Sequence, residues 1–111
     1  MTITRIGTGK RMSQAVVYNG VAYLAGIVAE AARAKSVLEQ TKDVLAQIDG
    51  ILKEAGSDKT KILKANIWLT DISTCAEMNE AWDAWVVAGQ TPARATVESK
   101  LAASNLNVEI M

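Results

Sequence analysis

Ser13-Gln14-Ala15-Val16-Val17-Tyr18-Asn19-Gly20-Val21-Ala22-Tyr23-Leu24-Ala25 is the stretch whose reading decides the fold. Residues 13 to 18 and 21 to 25 are strand-like, and Asn19-Gly20 between them tolerates the positive φ angles of a two-residue hairpin turn. From Ser36 to Ala55 the pattern changes: Val37, Leu38, Thr41, Val44, Leu45, Ile48, Ile51, Leu52 and Ala55 recur at spacings of three and four. That is one stripe of an amphipathic helix, and Gly56 supplies its stop. Residues 61 to 70 end in a second β-rich run, after which Asp71 to Thr74 offer helix N-caps and Thr74-x-x-Glu77 reads as a capping box. In the helix that follows, Met78, Trp82, Trp85 and Val86 fall at i, i+4, i+7 and i+8, so the tryptophans read as packing against a sheet. Gly89 is expected to close this helix and Pro92 to prevent its return. Ala93 to Leu101 and Leu106 to Met111 then form two further β-like runs.

The order is thus a strand, a hairpin, a long helix, a strand, a helix and two strands, which fits a single α+β domain spanning residues 1–111. Each helix has one apolar face, so a sheet with both helices on one side buries every stripe. Apolar alternation in residues 13 to 25 and 62 to 69 makes the other sheet face hydrophobic too. In so short a chain the expected cover is another subunit.

Composition narrows the chemistry. Twelve basic residues balance twelve acidic ones with no long run of either sign, so nucleic-acid binding is not expected. The chain has no histidine, which removes the usual general base, the serine-histidine and cysteine-histidine nucleophile systems and the commonest zinc ligand. Cys75 is the only cysteine, so an intrachain disulfide is excluded and a reducing compartment is expected. No signal-peptide core and no membrane-length apolar stretch are evident, and the expected location is the cytoplasm.

Four polar residues stand out from the wet faces of the expected helices: Asn79, Arg94, Glu98 and Glu109. Arg94 follows the only proline, Pro92, by two residues, where a loop enters a strand. A guanidinium there is a permanently charged fork that can hold a carboxylate through two parallel hydrogen bonds, or can simply be solvated. Alternation points Glu109 away from Val108 and Ile110, as an acid, a base or a solvated group. Glu98 shares a strand face with Arg94 and Thr96 and is expected at most in a structural ion pair with a lysine. Cys75 lacks the histidine partner of a nucleophile and is expected to be structural.

Ser13-Gln14-Ala15, Asn19-Gly20, Ala25-Gly26, Trp68-Leu69-Thr70-Asp71, Met78-Asn79-Glu80 and Pro92-Ala93-Arg94-Ala95-Thr96-Val97-Glu98, with Val108-Glu109-Ile110 near the end, resemble the RidA (YjgF) family of enamine/imine deaminases. The resemblance implies a chorismate-mutase-like mixed sheet with two helices packed on one face. It further implies a homotrimer in which the sheets of the subunits form a central barrel and the sites lie in clefts between subunits. It assigns Arg94 to the carboxylate of a 2-imino acid, Glu109 to the attacking water and Asn79 to the substrate pocket, with no metal or organic cofactor. The chain departs from the family pattern at Met12, where an aromatic residue is usual, at Ala25 in place of serine, at Ile27 in place of a polar residue, and at Thr96 in place of cysteine. Loss of the hydroxyls at Met12 and Ala25 implies a more apolar pocket. The expected activity is hydrolysis of 2-imino or enamine acids to 2-keto acids and ammonia. The alternatives are a non-catalytic module binding small carboxylic acids and, less favoured by charge and composition, a ribonuclease or translation inhibitor.

Overall fold

The hairpin forms as its sequence dictates. In the computed structural model, which describes residues 2–111, β2 (Ala15–Tyr18) and β3 (Val21–Leu24) pair antiparallel across Asn19 and Gly20, whose φ angles are 51° and 78°. Positive φ at both central residues is the backbone twist that matches the flanking strands. β1 (Thr4–Ile6) adds to the outer edge of β2.

A second ladder runs in the order β4 (Ile27–Val28), β7 (Val108–Ile110), β5 (Lys64–Leu69), β6 (Ala93–Glu98). β7 is antiparallel to both β4 and β5, whereas β5 and β6 are parallel, so the sheet is mixed as expected. The two ladders meet at Ala25-Gly26. Leu24 and Ile27 both pack into the core although they are three residues apart, so strand alternation breaks at that dipeptide, as a bulge requires.

Helix α1 (Val37–Glu54) begins where Ser36 Oγ accepts from Glu39 N–H at 3.2 Å. It stops at Gly56, φ 80°, where the amides of Gly56 and Ser57 return to the carbonyls of Lys53 and Leu52. Those two bonds satisfy carbonyls that the last turn would otherwise leave unpaired. Val44, Leu45 and Ile48 of α1 join Met78 and Trp82 of α2 (Cys75–Trp85) over Ile67, Leu69, Val108 and Ile110 of the sheet. Both helices therefore cover one face. The other face carries Tyr18, Tyr23 and Val97, which are 42%, 59% and 49% exposed in the single chain.

Three local expectations are corrected. Thr74 and Glu77 do not form a capping box: the Thr74 hydroxyl donates to the Asp71 carbonyl at 2.6 Å, and Glu77 Oε2 instead accepts from Leu38 N–H of α1 at 2.8 Å. The acidic side chain thus meets the positive end of the neighbouring helix and ties α2 to α1. Helix α2 ends at Trp85 because Val86 is already extended, ψ 157°, and Gly89 sits in the turn beyond. The expected strand from Ala93 to Leu101 is regular only to Glu98, and the one from Leu106 only from Val108 to Ile110.

The loop feeding β7 is held by a buried polar side chain. Gln40 of α1, fully buried, donates to the carbonyls of Lys35 and Asn105 at 3.1 and 3.2 Å and accepts from Asn107 N–H at 2.8 Å. Its burial is tolerated because the amide is satisfied at both ends.

Candidate functional site

Pro92 ends the connection from α2, and β6 starts one residue later as an edge strand beside β5. Parallel register sets Arg94 beside Ala65, Thr96 beside Ile67 and Glu98 beside Leu69. Those β5 residues face the helices, so the three β6 side chains do as well. Helix α2 meets Arg94 there. The Arg94 guanidinium donates from Nη1 to Asn79 Oδ1 at 2.7 Å, and its Cζ lies 5.3 Å from the centre of the Trp82 ring. Asn79 is oriented in turn by Cys75, whose Sγ accepts from Nδ2 at 3.7 Å.

An arginine so placed is anchored without being neutralised. The amide oxygen and the aromatic face are both uncharged, and among the described residues no carboxylate pairs with Arg94. The remaining guanidinium donors are exposed and aimed from a sheet edge, a geometry suited to a carboxylate that approaches from outside the chain. Thr96 Oγ1, two residues on, is enclosed and has no hydrogen-bond partner. Glu98 does not form the expected ion pair with a lysine; its Oε1 accepts from Ile72 N–H at 3.0 Å and caps the short turn before α2.

Glu109 lies elsewhere. Its neighbour in register on β5 is Trp68, odd-numbered steps away from Ala65 in the strand alternation, so Glu109 projects from the face opposite to Arg94, with β5 between their strands. There its carboxylate rests against Gly26. A β-carbon at Gly26 would lie 2.8 Å from Cδ of Glu109, so the absence of a side chain is what admits the carboxylate. Ala25 adjoins this position at the bulge. Met12, 56% exposed, is in the loop ahead of β2. Ile27 turns the other way and is only 6% exposed, packed in the core, so it does not shape an exposed pocket.

The sequence-derived residues thus fall into two groups: Arg94, Asn79 and Thr96 at the β6 edge, and Glu109 with Ala25 on the open face. Trp82, read from its spacing as core, is core and also the platform beneath Arg94. Its position three residues after Asn79, on the same helix face, was the available signal. Gly26 had no comparable signal, because its role depends on the register of β4 against β7. Among the described residues no group of three or more cysteine, aspartate and glutamate side chains converges as metal ligands would, and no helix is long and apolar enough to cross a membrane.

Comparison with known proteins gives a consistent answer. Residues 2–111 match the family model described as Endoribonuclease L-PSP. A RutC family protein of Haemophilus influenzae is 46% identical over 111 residues, covering 100% of this chain and 96% of its own length. A more distant relative, 31% identical over 103 residues, is the chloroplastic Reactive Intermediate Deaminase A of Arabidopsis thaliana, with 88% of this chain and 54% of that protein aligned. Among solved structures, a YjgF family member from Neisseria meningitidis superposes with a TM-score of 0.95 at 53% identity, covering 99% of this chain and 91% of the other.

Proposed function

The chain belongs to the endoribonuclease L-PSP (YjgF/RidA) family, and from that membership we propose that it hydrolyses 2-imino or enamine acids to 2-keto acids and ammonia in clefts between copies of itself. The observation that carries the reading is the anchored, unneutralised guanidinium of Arg94, held by Asn79 and Trp82 at an exposed sheet edge. The opposed placement of Arg94 and Glu109 supports a shared cleft, since a second copy is needed to bring an Arg94 guanidinium to the Glu109 face. A homotrimer closes such heterologous contacts into a ring.

The chemistry asks little beyond placement. A protonated 2-imino acid is already electrophilic at C2, and Arg94 fixes it through the carboxylate. Water adds to C2 and Glu109 takes the proton that the water loses; Glu109 then returns that proton to the nitrogen, and the C–N bond breaks to release ammonia as the adduct's hydroxyl gives its proton back to Glu109 and becomes the keto oxygen. The absence of histidine is no obstacle to these steps. Met12 and Ala25 supply no hydroxyl, which favours apolar substrate side chains. The same feature supports a second reading, a module that binds small carboxylic acids without turnover. The ribonuclease activity in the family's description is less well supported, because the chain carries balanced charge and no histidine.

The test generates an imino acid in situ with an amino-acid oxidase and follows keto-acid release. Arg94→Ala is expected to lower kcat/KM by about 30-fold to several thousand-fold, the range for losing a charge-assisted contact worth about 2 to 5 kcal/mol. Equal rates for the two proteins would remove Arg94 from the mechanism. Keto-acid binding in calorimetry with no release above background would select the binding module instead.

A further inference from the structure

The charge around Arg94 follows from the elements that hold it. The connection from Val86 to Pro92 contains no charged residue, and the next charge along β6 after Arg94 is Glu98, already turned to the Ile72 amide at 3.0 Å. Lys64 is in register with Ala93, so it projects from the opposite face of the sheet. Lys59 sits over Trp85, the other ring of the tryptophan pair, 5.3 Å from its centre. Neither β6 nor the adjoining face of β5 therefore sets a second cation beside Arg94.

Helix α2 sets an acid there instead. Cys75, Asn79 and Asp83 follow at intervals of four, which makes them one row along the helix with β-carbons about 5 to 6 Å apart. Asn79, in the middle, holds the guanidinium; Asp83, one step on, is exposed and, among the described residues, in no ion pair. Glu80 projects about 100° round the helix from Asn79, on the side away from Trp82. The place of Asp83 is also an unfavourable one for an acid. It lies in the last turn of α2, which ends at Trp85 and carries no basic residue, so the partial negative charge of the helix end adds to that of the carboxylate.

On the reading that Arg94 anchors a ligand carboxylate, we infer that Asp83 is a specificity-determining residue: it makes the site select 2-imino and 2-keto acids whose only negative charge is the carboxylate on Arg94, and disfavour dicarboxylates. Asp83 acts through its field rather than by contact, since no ion pair closes between it and Arg94. The first carboxylate of a ligand gains two charge-assisted bonds from the guanidinium and outweighs that field. A second carboxylate meets the same repulsion and finds no cation on this edge to offset it. Water and salt keep the penalty modest. At roughly 7 to 10 Å, close to the screening length of about 8 Å at physiological ionic strength, one like charge amounts to about twofold to fivefold in affinity.

The experiment titrates the full chain, and its Asp83→Asn variant, with 2-oxohexanoate and 2-oxoglutarate in a calorimeter. The two keto acids are of similar length and differ by one negative charge. The unaltered protein should bind 2-oxohexanoate more tightly, and Asp83→Asn should narrow the difference about twofold to fivefold. Sodium chloride at about 0.5 M should narrow it more in the unaltered protein than in the variant, which a purely steric preference would not do. Because the substitution removes an acid from the negative end of a helix, the variant should keep or raise its Tm. A difference that Asp83→Asn leaves unchanged, equal affinities in the unaltered protein, or tighter binding of 2-oxoglutarate would overturn the inference while leaving Arg94 as the anchor. Absence of binding by either keto acid would instead sink the anchor itself, and the role of Asp83 with it.

Discussion

Arg94 shows how neighbours can hold a charge without cancelling it. Asn79 accepts one of its donors at 2.7 Å, and Trp82 lends a ring face, yet the positive charge stays available. Replacing Asn79 by aspartate preserves shape and introduces an internal ion pair. Asn79→Asp is therefore expected to weaken keto-acid binding about tenfold or more in calorimetry, because the ligand carboxylate must now compete with one already in place. Unchanged affinity would mean that Asn79 does not sit at the binding guanidinium. A second pair of residues sets acid sensitivity. The Asp58 carboxylate is held below the ordinary aspartate value, first by the Thr60 hydroxyl and then by the Thr60 amide, and Asp71 likewise by the hydroxyl and amide of Ser73. A lowered folded pKa contributes stability that is complete above about pH 4 and lost as pH falls through the folded values. Both groups are in solvent, so the effect is small. Thr60→Val with Ser73→Ala should lower Tm at pH 7, and the difference from the unaltered chain should vanish in strongly acidic buffer. A gap that persists at low pH would assign it to something other than these carboxylates.

Among the elements, α1 organises most of the molecule. Its apolar stripe was plain in the sequence because a helix repeats every 3.6 residues whatever surrounds it, and Asn19-Gly20 marked the hairpin because the turn imposes its own dihedral requirement. Ends were less legible. Glu77 has the spacing of a capping partner for Thr74, yet it caps α1 instead, a choice made by tertiary proximity that spacing within α2 cannot reveal. Gln40 is the clearest case: as a polar residue on a helix it reads as wet, but it is buried, fixes the loop into β7 through two hydrogen bonds, with Asn105 and Asn107, and makes a third to the Lys35 carbonyl. Gln40→Leu keeps the volume and leaves the amide of Asn107 and the carbonyl of Lys35 without partners, while the Asn105 carbonyl keeps its bond from Ala34 N–H. It should destabilise the chain by about 2 to 3 kcal/mol in urea unfolding. A loss below about 0.5 kcal/mol would show that water replaces the side chain.

At the scale of the whole molecule, the candidate site is legible in the sequence as residues and illegible as a place. Arg94 stood out through its block after Pro92, and Glu109 through its alternation in Val108-Glu109-Ile110. That they occupy opposite faces follows only from the register of β5 with β6 and β7, which pairs residues far apart in sequence. The apolar open face, with Tyr18, Tyr23 and Val97 exposed, was foreseen from alternation and is consistent with cover by further copies. The central claim is that one functional site draws Arg94 from one copy and Glu109 from another. Its most direct test unfolds and refolds an equal mixture of Arg94→Ala and Glu109→Gln chains, each first assayed alone for its residual rate, and assays imine hydrolysis. Random reassembly should restore about one quarter of the wild-type activity per site, because only a site with the intact arginine of one chain and the intact glutamate of the other works. No recovery from a mixture that has reassembled would place both residues in the same chain's site and contradict the account.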